Sequence, residues 1–166
     1  VSLPQINGEY MVAYQRCCRV ENITNMLNSG EQGSAVGFII TEEGQKVNNV
    51  SPTIKEDFFS PLEIGKKNYI NFNHTDEDQE KVAYSLNAPF NAGGTDGATT
   101  PGSPISCSGV TPKPSNCLPP YDQIKYANDY SALNPFGVNV IASFDQNSGQ
   151  YEVTPSIQGY FAIGLK

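Results

Sequence analysis

Acidic side chains at alternate positions form the pattern in this sequence that comes closest to a metal site. Asp76, Asp78 and Glu80 lie between two stretches that have the character of strands. Calcium binds about six to eight oxygen atoms, and alternate acidic residues in a tight loop can direct several of them to one point. We therefore predict a calcium site, to which Asn71 or Asn73 can add an oxygen. The alternative is a solvated turn whose carboxylates separate in water.

The chain has four cysteines, and their placement predicts one disulfide bond. Cys107 and Cys117 bracket a proline-rich stretch, and a bond between them removes about 2–3 kcal/mol of unfolded-state entropy. Such a bond indicates an oxidising compartment outside the cytoplasm. Cys17 and Cys18 are adjacent, so on a strand they point to opposite faces and are not expected to bond each other. The alternative is a cytosolic protein with buried free thiols.

No group of residues in the sequence has the pattern of a catalytic site. A nucleophile needs a neighbouring base, and the single histidine, His74, has no catalytic motif around it, so we expect it to make a structural hydrogen bond. Glu42 with Glu43, or Asp76 with Asp78, fit the carboxylate pair of a glycosidase, but loop carboxylates more often bind calcium or water. The chain has no tryptophan to stack on a sugar. We therefore predict that it is not an enzyme.

Tyrosines in a loop-rich stretch are candidates for contact with a partner. The chain has nine tyrosines and eight phenylalanines, and Tyr121, Tyr126 and Tyr130 lie close together in the sequence. Exposed tyrosines make adaptable contacts with sugars and protein surfaces. The alternative is that these rings pack inside the fold and cover the long segment that precedes them.

The composition favours an all-β chain. The 166 residues include 15 glycines and 12 prolines, so the backbone turns often and a helical bundle is excluded. The net charge of −7 argues against nucleic acid as a partner. No apolar run approaches the length of a membrane-spanning segment, so we expect no membrane insertion by this segment. The chain starts without methionine and reads as a piece of a longer protein.

Runs of alternating or continuous apolar residues predict the strands, and five of these runs are the clearest. They are Ala35–Ile40, Tyr69–Asn73, Gly137–Phe144, Tyr151–Val153 and Gly159–Leu165. Asp145–Gly149 has the composition of a hairpin turn. Residues from about 89 to 120 carry little periodic apolar character, which predicts a long insertion.

The order of motifs in the second half resembles a bacterial immunoglobulin-like, cadherin-like module. The motifs are Thr75–Glu80, Tyr84-Ser85-Leu86, Asp145–Gly149, Thr154-Pro155 and Gly159–Gly164. The first half adds Tyr14-Gln15-Arg16-Cys17-Cys18-Arg19, and later segments add Pro119-Pro120-Tyr121 and Tyr130–Pro135. Together these motifs resemble the repeated segments of large surface proteins of gliding Bacteroidetes. Those proteins resemble adhesins and are typically exported by the type IX secretion route.

The resemblance implies a fold, a location and a function. The fold is an immunoglobulin-like or cadherin-like β-sandwich over residues 51–166, with the insertion at about 89–120, while residues 1–50 supply the last strands of a preceding β module. The function is non-enzymatic: adhesion, surface extension or gliding motility in an exported protein at the bacterial cell surface. The partners are other modules or subunits of a surface assembly, or surface glycans. The alternative is a glycan-binding or complex-assembly module that uses the insertion.

The sequence also departs from the family pattern. Ile64, Asn87 and Lys166 stand at about the places where the pattern often has cysteines. The acidic loop has Glu77 and Gln79 where the pattern has proline and glycine, which favours the solvated turn over the calcium site. A disulfide between Cys107 and Cys117, within the insertion, is then the remaining expected cross-link of the second half.

Overall fold

Eleven short strands make up most of the regular structure in the part of the chain that is described. A computed structural model describes residues 3–16, 19–47, 50–54, 61–78, 80–92 and 119–166 of the chain. The strands are β1 (Tyr10–Arg16), β2 (Ser34–Ile40), β3 (Thr53–Ile54), β4 (Asn68–Asn71), β5 (His74–Thr75), β6 (Leu86–Asn87), β7 (Phe90–Asn91), β8 (Asp122–Gln123), β9 (Ile141–Asp145), β10 (Gln150–Thr154) and β11 (Gly164–Leu165).

These strands form four antiparallel sheets, and the chain is all-β as the sequence predicts. The sheet orders are β1-β2-β7-β8, β4-β10-β9, β11-β6 and β3-β5. In the described ranges, helix is limited to two 3₁₀ turns of three residues, Ser29–Glu31 and Gly44–Lys46. None of the helical segments described has the length and apolar character needed to cross a membrane.

The longest ladder joins β1 to β2 over seven residue pairs, from Tyr10 opposite Ile40 to Arg16 opposite Ser34. This ladder confirms the strand predicted at Ala35–Ile40. On its far edge, β2 pairs with β7 through Ala35 and Phe90, and β7 pairs with β8. Strands from both sides of residue 50 therefore belong to one sheet. The division of the chain into residues 1–50 and 51–166 stays a prediction.

The apolar core lies against the β4-β10-β9 sheet. Its buried members are Phe136, Tyr151 and Val153. The rings of Phe136 and Tyr151 stack with centroids 5.9 Å apart, and burial raises the pKa of Tyr151 to about 12. The strand predicted at Tyr151–Val153 is confirmed as part of β10. The strand predicted at Gly137–Phe144 begins only at Ile141, because Gly137 to Val140 form a turn closed by a backbone hydrogen bond.

A polar junction holds the segment between β1 and β2 to the rest of the chain. We define it as Asn25, Ser29, Gln32 and Asn91, all of which are buried. The Asn25 Nδ2 atom donates to the carbonyls of Pro135 (2.9 Å) and Ala162 (2.8 Å), and its Oδ1 accepts from the Ala162 N–H (2.9 Å). One amide side chain therefore joins three segments that are far apart in the sequence.

The other members of the polar junction bond to the backbone in the same way. Gln32 accepts from the Lys125 N–H through Oε1 at 2.7 Å and donates from Nε2 to the Lys125 carbonyl at 3.2 Å. Asn91 accepts from the Gly33 N–H at 2.8 Å, and Ser29 Oγ donates to the Val20 carbonyl at 2.8 Å. These side-chain hydrogen bonds take the place of a strand ladder in this irregular segment, because buried backbone N–H and C=O groups need hydrogen-bond partners.

The polar junction also explains why the predicted strand Gly159–Leu165 is shorter than expected. Only Gly164 and Leu165 pair as β11. Before them, Tyr160 makes an isolated bridge to Ile23, and both backbone groups of Ala162 bond to the Asn25 side chain. The backbone there is satisfied by a side chain, so no neighbouring strand is needed.

The hairpin turn predicted at Asp145–Gly149 is confirmed between β9 and β10. The Gly149 N–H donates to the Asp145 carbonyl at 2.9 Å. The Asp145 carboxylate accepts from the Asn147 N–H and from the Ser148 hydroxyl, both at 2.8 Å. These donors lower the pKa of Asp145. Gly149 has a φ of +69°, in the left-handed region that favours glycine.

Gly149→Ala is expected to lower the free energy of unfolding by about 3 kcal/mol, from backbone strain and overpacking together. A Cβ atom at Gly149 would lie 2.9 Å from the Phe72 carbonyl oxygen and 2.9 Å from the Tyr84 ring. Gly65 is a matched control, since its φ is +71° and a Cβ there meets nothing within 4 Å. Gly65→Ala should cost only about 1 kcal/mol. Urea denaturation measures both, and equal losses would contradict the contact argument.

Candidate functional site

An open apolar groove is a large concave feature of the described part of the chain. Its volume is 1520 Å³. The groove is lined by residues of β1 to β4, by the segment that leads into β4, by Phe136 and by the chain from Pro155 to Leu165. Its exposed apolar side chains are Tyr14, Val36, Ile54, Ile64, Ile157 and Tyr160.

The strand register places apolar side chains on the outer face of β1 and β2. Tyr14 lies opposite Val36, and Val12 lies opposite Phe38, so all four point to the same side of the sheet. Tyr14 is 66% exposed and Val36 is 63% exposed. Tyr160, which also lines the groove, is 67% exposed. The rim of the groove therefore carries apolar side chains that are mostly exposed to solvent.

Two residues of opposite charge, Arg16 and Glu63, also line the groove. Glu63 forms an ion pair with Lys66 at 2.5 Å between Oε2 and Nζ. Both of these side chains are about two-thirds exposed, so the pair contributes at most about 1 kcal/mol. The charges lining this surface sum to zero, although the whole chain carries −7.

The three tyrosines proposed as partner contacts are not among the residues that line the groove, and their contact with a partner stays a prediction. Tyr121 accepts a hydrogen bond from Gln15 Nε2 at 2.8 Å, and its ring lies edge-on to Phe90 at 5.7 Å. Burial raises the pKa of Tyr121. Tyr130 contacts Phe161 with ring centroids 6.3 Å apart. Both rings are half-buried and pack within the chain.

Tyr126 lies beside Arg19, a residue to which the sequence assigned no structural role. The Tyr126 hydroxyl is buried and has no hydrogen-bond partner among the described residues. Burial raises its pKa, and the positive charge of Arg19 partly offsets this rise. Arg19 donates to the carbonyls of Gly33 and Phe90, each at 3.0 Å, and burial lowers its pKa. Arg19 thus ties the start of β2 to β7.

The acidic residues proposed to bind calcium lie in one loop after β5. Asp78 Oδ2 accepts from the Val50 N–H at 2.6 Å, and Asp76 Oδ1 accepts from the Asp78 N–H at 3.0 Å. Asn71, proposed as a further ligand, accepts instead from Gln150 Nε2 at 2.9 Å. In the part of the chain that the structure describes, no group of three or more acidic, histidine or cysteine side chains has metal-binding geometry. Calcium binding by Asp76, Asp78 and Glu80 stays a prediction.

A melting curve tests the calcium site. A bound ion is expected to raise the melting temperature by mass action when EDTA is replaced with millimolar calcium. The rise should be abolished in Asp76→Asn/Asp78→Asn, whose asparagines keep the hydrogen-bonding shape of the loop. A midpoint unchanged by calcium would identify the loop as a solvated turn.

The remaining residues singled out in the sequence have separate outcomes. His74 makes a hydrogen bond within the fold, as expected, between its Nδ1 and the hydroxyl of buried Tyr84. The predicted bond between Cys107 and Cys117 lies outside the described residues, as do Cys17, Cys18 and most of the insertion.

Comparison of the chain with protein-family models, with curated proteins and with solved structures finds no match in any of the three.

Proposed function

We propose that this chain is a non-enzymatic, extracellular segment of an adhesin-like protein at the bacterial cell surface. It serves adhesion, surface extension or gliding motility, and it reaches the surface through the type IX secretion route. The motifs from Tyr14 to Arg19 and from Thr75 to Leu86 support the proposal by their resemblance to such proteins. Its partners are other modules or subunits of the same assembly.

The observation that carries the proposal is the apolar groove. A soluble monomer rarely exposes a contiguous apolar patch larger than a few hundred Å², and larger patches mark sites of interaction. The groove has Tyr14 and Tyr160 at its rim, and tyrosine combines a large apolar area with a polar end. Both properties suit a surface that holds a partner.

The finer fold that we propose is an immunoglobulin-like or cadherin-like sandwich. Supporting it are two multistranded antiparallel sheets, β1-β2-β7-β8 and β4-β10-β9, and a hairpin turn of the expected type between β9 and β10. In such folds, side chains from facing sheets form the core. A crystal structure in which these two sheets do not pack face to face would contradict this assignment.

Surface labelling tests the location. Antibodies raised against the chain are expected to label intact cells of the source organism, and external protease should remove the label. Peptide mapping without reductant should recover Cys107 and Cys117 in one cross-linked fragment. Antigen found only after cell lysis, with both thiols open to alkylation, would contradict an exported protein.

A glycan-binding or complex-assembly module that uses the insertion at about 89–120 is the second candidate function. The exposed rings of Tyr14 and Tyr160, which lie outside the insertion, support the binding of a sugar or a protein by this chain, because aromatic faces stack on sugars and on apolar protein surfaces. A glycan array tests whether the module binds sugars, and variants show where a sugar binds. Binding that is lost in Tyr14→Ser/Tyr160→Ser would assign a sugar to the groove, and binding lost only when the insertion is shortened would assign it to the insertion.

A further inference from the structure

We propose that Asn7 is a site of spontaneous covalent modification, at which the link between Asn7 and Gly8 rearranges to isoaspartate. The rearranged link no longer fits the hydrogen bonds that Gln45 makes to the segment before β1, so it loosens that segment. The proposal holds whichever partner the chain binds and wherever the protein is located. Three observations carry it: the pair of reacting groups, their freedom from other contacts, and the two hydrogen bonds that bracket Asn7.

The chemistry needs a side-chain amide followed by a backbone nitrogen that can reach it, and asparagine is among the thermally labile residues. The nitrogen of Gly8 attacks the Cγ atom of Asn7, the bond from Cγ to Nδ2 breaks, and ammonia leaves with the proton of the Gly8 N–H. Water, the one co-reactant, then opens the resulting succinimide ring. Opening at the former backbone carbonyl leaves isoaspartate, in which the main chain runs through Cβ and Cγ, and opening at the former side-chain carbonyl leaves aspartate.

The residue after Asn7 is a glycine, and this is the only asparagine–glycine pair in the sequence. Because glycine has no Cβ atom, its backbone nitrogen can approach a neighbouring group closely. Gly8 has a φ of +134°, and a Cβ atom there would meet nothing within 4 Å. The space around Gly8 therefore leaves room for its backbone to rearrange.

Neither reacting group is held by another contact. Asn7 is exposed, and within the described ranges neither its carboxamide nor the Gly8 N–H has a hydrogen-bond partner. The pair Asn147–Ser148, in the turn between β9 and β10, is the contrasting case. The Asp145 carboxylate accepts from the N–H groups of both Asn147 and Ser148, so the nitrogen that would attack in that pair is already bonded.

The side chain of Gln45 brackets Asn7 with two hydrogen bonds, which we call the Gln45 clamp. Its Oε1 accepts from the Ile6 N–H at 3.0 Å, and its Nε2 donates to the Gly8 carbonyl at 2.7 Å. One amide reaches both backbone groups only at the spacing that a normal main chain sets between them. Isoaspartate adds one main-chain atom between the two groups, so both bonds cannot keep their geometry. Because Gln45 lies in the 3₁₀ turn after β2, the chain that enters β1 then loses a tie to the chain that leaves β2.

Incubation of the folded chain at mildly alkaline pH, followed by peptide mapping that distinguishes isoaspartate from aspartate, tests the site. We expect isoaspartate in place of Asn7, while Asn147 stays intact. Asn7→Gln should abolish the product, because attack on the longer side chain must close a larger ring. A synthetic peptide of residues 3–11 gives the rate of the same chemistry without the fold. The rate in the folded chain should lie within about tenfold of the peptide rate, since an exposed segment opens at little cost.

Hydrogen exchange at Ile6 tests the effect on the Gln45 clamp. In the isoaspartate form, purified by chromatography, the Ile6 N–H should exchange about threefold to tenfold faster than in the unmodified chain, as expected for the loss of one hydrogen bond. Asn7→Asp is the matched control, because it adds the same charge on a normal main chain, and it should leave this exchange unchanged. Gln45→Ala removes the clamp without any modification and should reproduce the faster exchange.

Two kinds of result would overturn the proposal. If Asn7 stays intact in the folded chain while the peptide converts, the fold protects the link, and if neither converts, the chemistry does not occur there. If isoaspartate forms but Ile6 exchanges no faster than in the unmodified chain, or exchanges equally fast in Asn7→Asp, the changed linkage does not loosen the segment before β1.

Discussion

Tyr151→Ala is expected to lower the free energy of unfolding by about 4 kcal/mol, which is a large share of the stability of a domain this size. Tyr151 is 2% exposed and lies at the centre of the apolar core. Its ring stacks on Phe136 at 5.9 Å and contacts Phe144 at 6.1 Å between centroids. Removing it leaves a cavity that neighbouring strands cannot close, and urea denaturation followed by circular dichroism measures the loss.

Tyr69→Ala is the control for this measurement. Tyr69 lies on β4, next to the strand of Tyr151, but its side chain points away from the core and is half exposed. Its removal should change the free energy of unfolding by about 1 kcal/mol or less. A loss at Tyr151 that is no larger than the loss at Tyr69 would mean that the core lies elsewhere.

Asn25→Ala is expected to lower the free energy of unfolding by about 3 kcal/mol. Asn25 is fully buried, and its amide makes three hydrogen bonds, one to Pro135 and two to Ala162. Alanine removes only one partner of each bond, so the Pro135 carbonyl is left buried without it, and the carbonyl and N–H of Ala162 are left partly buried without it. The cost of desolvated, unpaired backbone groups is larger than the net value of the bonds themselves. Thermal and urea denaturation measure it.

Two further variants show whether the amide itself is responsible. Asn25→Asp keeps the shape of the side chain but replaces the Nδ2 donor with an oxygen that faces two carbonyls, so its loss should be at least as large as that of alanine. Asn139→Ala, at an exposed asparagine, should be nearly neutral. If Asn25→Asp is as stable as the parent, the hydrogen bonds of Asn25 do not hold these segments together.

Local patterns in the sequence are enough to predict the class of the fold and its most regular strands. Glycine and proline throughout the chain exclude long helices, and strand periodicity marks β2 and β10 at nearly their observed positions. The turn at Asp145–Gly149 follows from residues that interact within five positions. Such features are local, because side-chain alternation and turn chemistry depend on neighbours in the chain.

Tertiary structure decided the polar junction and the groove. Asn25 is an ordinary polar residue in the sequence, and its role depends on Pro135 and Ala162, which are more than 100 positions away. The same contact converts most of the predicted strand Gly159–Leu165 into irregular backbone. The groove likewise depends on which segments come together, since Tyr14 and Tyr160 are 146 positions apart in the sequence. Strand periodicity predicts which face of a strand a side chain occupies, but the packing of distant segments decides what that face contacts.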